Sequence, residues 1–103
     1  MLSNRRTYAR VPIRAQVTCI VDSRTMRGVS LNLSQGGMQV VVSGLKPRRT
    51  VQLSFRLSSS GVAVDAVGTV VWVDEKRHGI QFTDMGAQSQ HSILEYVAQQ
   101  VER

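Results

Sequence analysis

The chain has little cysteine, few aromatic residues and no acid near its start: one cysteine, five aromatic side chains, and no carboxylate before Asp22. A single cysteine, Cys19, rules out an intrachain disulfide and is typical of a reducing compartment. The opening residues, MLSNRR, contain no apolar stretch of signal-peptide length. The longest uncharged stretch, 28–45, is too polar and too rich in glycine to span a bilayer. We therefore expect a cytoplasmic protein with no membrane insertion.

Residues suited to catalysis or metal binding are equally scarce. The only thiol is Cys19, which strand alternation directs inward, and the two histidines, His78 and His91, are expected at the surface. These three residues have neither the spacing of a nucleophile with its base nor that of a metal site. The stretch SQGG has no following lysine, so it is no triphosphate-binding loop. The sequence predicts no enzyme, no catalytic residue, no metal and no cofactor.

The positive charge is concentrated at one place. The chain has 103 residues, 42% of them hydrophobic, which is enough for one domain with a single core. Its formal net charge is +6, and the acid-free stretch SNRRTYARVPIR holds four arginines: Arg5, Arg6, Arg10 and Arg14. Since the rest of the chain is nearly balanced, this stretch indicates an anion-binding site or a mobile arm.

Beyond this stretch the dominant hydrophobic period is two, which is typical of strands with one buried face. In VQLSFRLS, for example, Val51, Leu53, Phe55 and Leu57 alternate with polar residues. Turn-forming stretches separate the strands, and they read DSRTMRG, SQGG, SGLKPRR and SSSG. Six strands are predicted, in QVTCIVD, GVSLNLS, GMQVVV, VQLSFRLS, VAVDAVGTVVWVD and RHGIQFTD. Gly68, in the middle of the fifth, indicates a bulge or a bend.

The hydrophobic period changes near the end of the chain, in AQSQHSILEYVAQQVER. Ile93, Leu94, Val97 and Val101 fall on one helical stripe, which predicts a helix over 87–102 packed on the strands. Six short strands, one of them bent, favour a small closed barrel. The predicted fold is therefore all-β: a six-stranded antiparallel barrel with a C-terminal α-helix packed on it.

The basic start is predicted to be a flexible arm, residues 1–14, that precedes the barrel domain, 15–103. Arg6 and Arg10 are four residues apart, but Pro12 and the β-branched residues near it disfavour a helix. All four cations of the arm are arginine, whose guanidinium fork matches phosphate oxygens and the O6/N7 edge of guanine. The alternative is a solvated tail.

The stretch NLSQGG follows about twenty residues later. Asn32 and Ser34 are two apart on a predicted strand, so both are expected on the outer face, opposite Leu31 and Leu33. The next residues, 36–37, are glycines that allow a tight turn and close approach of a ligand to the backbone. Taken alone, the stretch also fits an ordinary hairpin turn.

The two stretches together resemble the signature motifs of the PilZ domain family, RxxxR followed by D/N-x-S-x-x-G. The later VVWVDEKRHGIQFTDM is similar to the last strands of that family, and the resemblance extends from Arg5 to about Val101. It implies a six-stranded barrel that binds the bacterial second messenger cyclic di-GMP. The ligand-binding residues that it implies are Arg5, Arg6, Arg10, Asn32, Ser34, Gly36 and Gly37.

The resemblance also implies a stoichiometry and a mode of action. In this family an arginine directly before RxxxR, here Arg5, tends to accompany two intercalated cyclic di-GMP molecules, so two ligands per chain are expected. Binding would order the arginine arm and present a new surface to an unidentified downstream protein. Motility, secretion, exopolysaccharide synthesis and virulence control are all compatible with the sequence.

Two other functions use the same arginines. One is a small basic β-barrel that binds single-stranded nucleic acid, but such barrels usually present stacking aromatics. The five aromatic residues here are expected to be mostly buried or remote: Tyr8, Phe55, Trp72, Phe82 and Tyr96. The other is a structural adaptor whose arm binds an acidic protein. The sequence does not fix the oligomeric state, and we expect a monomer.

Overall fold

The computed structural model describes residues 9–58 and 61–101 of the chain. It contains seven strands followed by one helix. In chain order they are β1 (Val11–Pro12), β2 (Gln16–Val21), β3 (Arg24–Leu33), β4 (Gly37–Val41), β5 (Thr50–Arg56), β6 (Ala63–Asp74), β7 (Arg77–Met85) and α1 (Ala87–Val101).

Six of the strands close into an antiparallel barrel. Around the ring, β2 pairs with β3, β3 with β4, β4 with β7, β7 with β6, β6 with β5, and β5 with β2 again. The predicted six-stranded barrel with a C-terminal helix is therefore confirmed. The seventh strand, β1, has only two residues and pairs with the end of β3, where Val11 lies opposite Leu33.

The barrel holds one hydrophobic core built from the inward residues of every strand. Period-two alternation places them there, as in β2, where Val17 and Cys19 are buried and Thr18 is not. Removing each such aliphatic side chain from water contributes about 1.5–3 kcal/mol. The fully buried members include Val17, Cys19, Leu33, Val40, Val51, Val64 and Val70.

The described part of the predicted arm, residues 9–14, is attached to this core. Val11 and Ile13 are buried, because β1 lies against β3 and directs both side chains inward. The Ser30 hydroxyl fixes the segment further, since it donates to the carbonyl of Ile13 (3.1 Å) and accepts from the amide of Ala15 (2.9 Å). The remainder of the arm, 1–8, lies outside the described residues.

Strand β3 differs from the sequence prediction at its start and in its register. It begins at Arg24, so only Asp22 and Ser23 form the preceding turn. Val29, expected in the core, is 41% exposed, whereas Ser30 is fully buried. The reason is a bulge between Ser30 and Asn32, which inserts an extra residue and reverses the alternation.

Strand β6 carries the irregularity expected at Gly68. The pairing with β7 shifts between Val67 and Gly68, which confirms that prediction, and shifts again between Val70 and Trp72. The second shift exposes two neighbouring apolar residues, since Val71 is 50% and Trp72 38% exposed. A strictly alternating strand would have buried one of them.

The helix α1 agrees with the predicted span but only partly with the predicted stripe. Ile93 and Val97 are buried and join the core. Leu94, assigned to the same stripe, is exposed because it lies one residue aside from Ile93 and points away from the barrel. Val101 is also exposed, at the last position of the helix. Within the described residues, no helix combines the length and the apolar character that crossing a bilayer would need.

Candidate functional site

The site is built around the end of β3, where the two sequence motifs meet. Pro12 of β1 pairs with Asn32 of β3, so the residue that precedes β1 by one position, Arg10, reaches the same place. The Arg10 guanidinium donates through Nη1 to the Asn32 side-chain oxygen Oδ1 at 2.8 Å. One arginine of RxxxR is thus in contact with the first residue of the second motif, 22 positions later in the chain.

Strand pairing continues this contact into a row across the barrel wall. Asn32 pairs with Gln39 of β4, Gln39 with Gly79 of β7, and Gly79 with Trp72 of β6. Directly paired residues point to the same face of a sheet. The row therefore places two amide side chains and an indole on one patch of wall, with Arg10 at its end, and we call this patch the platform.

Trp72 owes its position to Gly79. A Cβ added at Gly79 would lie only 2.2 Å from the indole Nε1, so the ring packs directly over the glycine backbone. Every other residue type would push the ring away. The indole keeps part of its surface in solvent, where it could stack against a flat ligand.

The platform borders a shallow concavity of about 440 Å³, which is within the range of small-molecule sites. Among the described residues, Arg10 is the one charged side chain that lines it, and no carboxylate does so. The lining therefore offers a cation, amide groups and an aromatic face to an anion. Its residues are Arg10, Ser34, Gly36, Gly37, Met38, Gln39, Val71, Trp72, Gly79, Ile80 and Gln81.

Ser34 does not point outward as predicted, because it is 97% buried in the turn between β3 and β4. Its hydroxyl accepts from the amide of Gly36 at 3.1 Å and donates to the carbonyl of Gly37 at 3.4 Å. The expected outer-face register is wrong for this residue, since β3 ends at Leu33 and Ser34 closes the turn. Its observed contacts hold the glycine backbone at the rim of the concavity.

The two glycines of the turn have different surroundings. A Cβ on Gly37 would lie 2.1 Å from the carbonyl oxygen of Ile80, so β7 occupies the space that a side chain would need. The carbonyl of Gly36 accepts from the amide of Phe82 at 2.9 Å, which ties the turn to β7. Both glycines line the concavity, and tight strand packing accounts for Gly37 without reference to a ligand.

Of the seven predicted site residues, five are brought together and two cannot be placed. Arg5 and Arg6 lie outside the described residues. The other five surround one concavity or contact its lining: Arg10, Asn32, Ser34, Gly36 and Gly37.

Sequence reasoning missed two amide side chains and one aromatic side chain that line the concavity: Gln39, Gln81 and Trp72. Alternation in GMQVVV and GIQF puts both glutamines outward, so their exposure could have been predicted. Trp72 could not have been assigned, because its outward direction depends on the second shift in β6.

The groups considered for catalysis lie elsewhere and are not arranged for it. Cys19 is fully buried, and desolvation raises the pKa of its thiol to about 11, which opposes nucleophilic use. His78, expected at the surface, is instead 99% buried, with ring nitrogens facing the carbonyls of Lys76 (3.0 Å) and Leu45 (3.2 Å). Among the described residues, no group of three or more potential ligands is arranged to hold a metal ion.

Comparison with known proteins identifies the family. The model of the PilZ domain matches residues 4–99, which is nearly the whole chain. The chain belongs to the PilZ domain family. Comparison with curated proteins gave no significant match.

Solved structures with the same fold are distant in sequence. The inhibitor of motility MotI/DgrA from Bacillus subtilis is 22% identical with a TM-score of 0.84, and the alignment covers 95% of this chain and 52% of that protein. The PilZ domain of YcgR from Escherichia coli, solved with cyclic di-GMP, is 15% identical with a TM-score of 0.77 and coverages of 95% and 92%. The PilZ domain of CeSA from a cellulose-synthesizing bacterium is 21% identical with a TM-score of 0.70 and coverages of 92% and 99%. The chain thus spans about half the length of the Bacillus protein.

Proposed function

We propose that this protein is a receptor for cyclic di-GMP that binds the ligand on the platform. The observation that carries the proposal is the contact of Arg10 with Asn32 beside an exposed indole, in a concavity that no described carboxylate lines. This combination suits a dianionic molecule with two flat bases. The absence of carboxylates matters because a negative side chain there would repel the phosphates.

Each group on the platform has a chemical task toward such a ligand. The Arg10 guanidinium can grip a phosphate bidentately or donate to the O6/N7 edge of a guanine. The amides of Asn32 and Gln39 offer both donors and acceptors to a base edge. Trp72 offers a face on which a purine stacks, worth about 1–3 kcal/mol for each base. The Ser34 hydroxyl fixes the backbone of Gly36 and Gly37, which have no side chains, so that a base can approach this backbone closely.

The family and one neighbour support the ligand assignment. The chain has the fold of the YcgR domain that was solved with cyclic di-GMP, and both motifs of the family are present in order. We infer that Arg5 and Arg6, in the undescribed part of the arm, complete the phosphate-binding set together with Arg10.

We further infer that the ligand acts on the arm, residues 1–14, by ordering the positions that precede Val11 against the barrel domain, 15–103. Val11 and Ile13 anchor the end of the arm in the core. The residues before Arg10 would therefore become ordered next to a segment whose position is already fixed. A downstream protein would then bind the newly formed surface. The protein so proposed is a cytoplasmic, monomeric signalling module that catalyses no reaction.

Calorimetry tests this function. Cyclic di-GMP should bind, whereas GMP and a single-stranded oligonucleotide should bind weakly or not at all. Arg10→Ala should weaken binding about five- to a hundredfold, since a bidentate contact to a base is worth about 1–3 kcal/mol. The thermal midpoint of the free protein should hardly move, because Arg10 is exposed and outside the core.

The matched control is Arg27→Ala, which removes an exposed arginine from the same strand as Asn32 but outside the concavity. It should bind cyclic di-GMP like the wild type. Equal losses in both variants would mean that only overall charge matters. Tight binding of the oligonucleotide alone would favour a nucleic-acid-binding barrel instead.

A further inference from the structure

A second charged surface lies at one end of the barrel, where β2, β4 and β6 end and β3, β5 and β7 begin. Three connections meet there: 22–23, 42–49 and 75–76. We call this surface the basic end, and all its charged residues are exposed. Its cations are Arg24, Lys46, Arg48, Arg49, Lys76 and Arg77, and its acids are Asp22, Asp74 and Glu75.

Most cations of the basic end have no ionic partner. Arg49 pairs with Asp22 at 2.6 Å, and Arg77 with Asp74 at 3.2 Å, both on the surface. Among the described residues, the other four cations have no carboxylate within 4.0 Å. The basic end thus carries six cations against three acids.

One of these cations is held in an unfavourable backbone conformation. Residues 46–49, Lys-Pro-Arg-Arg, form a tight turn in which the Arg49 amide donates to the Lys46 carbonyl at 3.3 Å. Proline in second place and a φ of +70° at Arg48 define a turn that ordinarily has glycine in its third place. Positive φ values at non-glycine residues also occur at Asp22, Ser23 and Glu75, so every connection of the basic end contains a backbone conformation that favours glycine. The side chain presented in this way at Arg48 is an exposed guanidinium.

The connection that carries this turn is fixed on both sides. The Val42 amide donates to the Lys76 carbonyl at 3.0 Å, and a ring nitrogen of buried His78 faces the Leu45 carbonyl. Farther along, the Arg48 amide donates to the Val70 carbonyl at 2.7 Å. The cations are thus displayed on a rigid base, which lowers the entropy lost when a partner binds.

We propose that the basic end is a docking surface for an acidic segment of a partner protein, and that it shares no residue with the nucleotide platform. Carboxylates form strong bidentate bonds with arginine, and four of the six cations here are arginine. Arginine is also enriched at protein interfaces. The basic end also holds three carboxylates, with which cations of the partner could pair. Such a mixed pattern of charges would make the surface specific for one partner.

Those same carboxylates argue against a uniform polyanion as the occupant. A nucleic acid or an anionic membrane presents closely spaced phosphates, which Asp22, Asp74 and Glu75 would repel. No residue in the three connections is aromatic, so single-stranded nucleic acid would find no stacking partner there.

The test begins with a photoreactive amino acid placed at Ser43, an exposed and uncharged position of the basic end, in the full chain in its native cells. The matched control places it at Gln52, which is exposed on the wall of β5. A protein should be cross-linked through Ser43 and not through Gln52, and the adduct should map to an acidic segment. No protein adduct in excess of the Gln52 control overturns the proposal.

The captured protein is then purified and titrated with wild-type chain, Arg48→Gly and Arg56→Gln. Arg48→Gly should bind it about tenfold more weakly, because one bidentate contact is lost, while its thermal midpoint is no lower than that of the wild type. Arg56→Gln, which changes the net charge equally at the other end, should bind normally, and both variants should bind cyclic di-GMP unchanged.

Two results contradict the proposal at this stage. One is a captured protein that binds Arg48→Gly as tightly as the wild type. The other is binding that depends on Arg48 but is found only with a polythymidine oligonucleotide or phosphatidylserine vesicles.

Discussion

Three buried polar residues, Ser30, Ser34 and His78, have their side-chain groups in contact with backbone atoms. Ser30 joins the segment after β1 to β3, Ser34 closes the turn at the platform, and His78 faces two carbonyls. Every buried side-chain nitrogen or oxygen of the described residues has a partner. Since an unsatisfied buried polar group costs about 1–3 kcal/mol, these contacts fix connections that hydrophobic packing alone would leave loose.

Cys19 gives a prediction at the same scale. Burial raises the pKa of its thiol from 9.0 to about 11, so above pH 9 the thiol ionises in the unfolded chain but not in the folded one. The stability that this contributes is fully present below pH 9 and is lost as the pH rises through 11. Urea unfolding between pH 8 and about 11 should show the loss.

The control for that prediction is Cys19→Ala, which lacks the titrating group. The stability difference between wild type and variant should be largest below pH 9 and should shrink above it. Parallel pH profiles would show that other groups, such as lysine and tyrosine, cause the alkaline loss.

At the scale of the elements, β6 and β7 supply the platform residues that the sequence did not predict, Trp72 and Gly79. Clean alternation in β2 and β5 made their buried faces predictable. The bulge in β3 and the second shift in β6 each displace the alternation by one residue. No residue pattern marks those two places, because bulges depend on cross-strand pairing rather than on local sequence. Ser30, Val29 and Trp72 were assigned wrongly or not at all for this reason.

The pairing of these two elements leads to a prediction about Gly79. Gly79→Ala would place a Cβ into the indole of Trp72 and should turn the ring away from the platform. Because the chain has one tryptophan, its fluorescence emission should change in the free protein. Binding of cyclic di-GMP should weaken about five- to a hundredfold, in keeping with a lost stacking contact of about 1–3 kcal/mol.

Gly86→Ala is the matched control, since no atom lies within 4 Å of the Cβ that it would add. Its fluorescence and ligand affinity should equal those of the wild type. If Gly79→Ala shifts the fluorescence and leaves the affinity intact, Trp72 is not part of the binding site.

For the molecule as a whole, the resemblance anticipated the family and the six-stranded ring, which the family match and the strand pairing confirm. The residues of the site could be predicted only in part from the sequence. Motif spacing pointed to Arg10 and Asn32, which are in contact, but the outward direction assigned to Ser34 was wrong. The basic end was not foreseen, because its cations come from three parts of the chain that only folding brings together.

The number of ligands is a prediction at this scale. We expect two cyclic di-GMP molecules per chain, with Arg5 contacting the second. A self-intercalated pair brings four negative charges together, and a further guanidinium offsets their repulsion. Arg5→Leu should therefore shift the stoichiometry toward one while Arg6 and Arg10 still bind. Titration at protein concentrations far above the dissociation constant distinguishes one bound ligand from two. An end point of one cyclic di-GMP per wild-type chain refutes the prediction.

The ring closure also makes the platform depend on one long-range strand pairing. Met38 of β4 pairs with Ile80 of β7, forty-two positions later, and the neighbouring pair, Gln39 with Gly79, is part of the platform. Bringing together residues so far apart in the chain costs more loop-closure entropy than forming a hairpin contact. The row of paired residues on the platform is interrupted whenever β7 separates from β4. A ligand that binds only the complete platform therefore stabilises this long-range pairing by mass action.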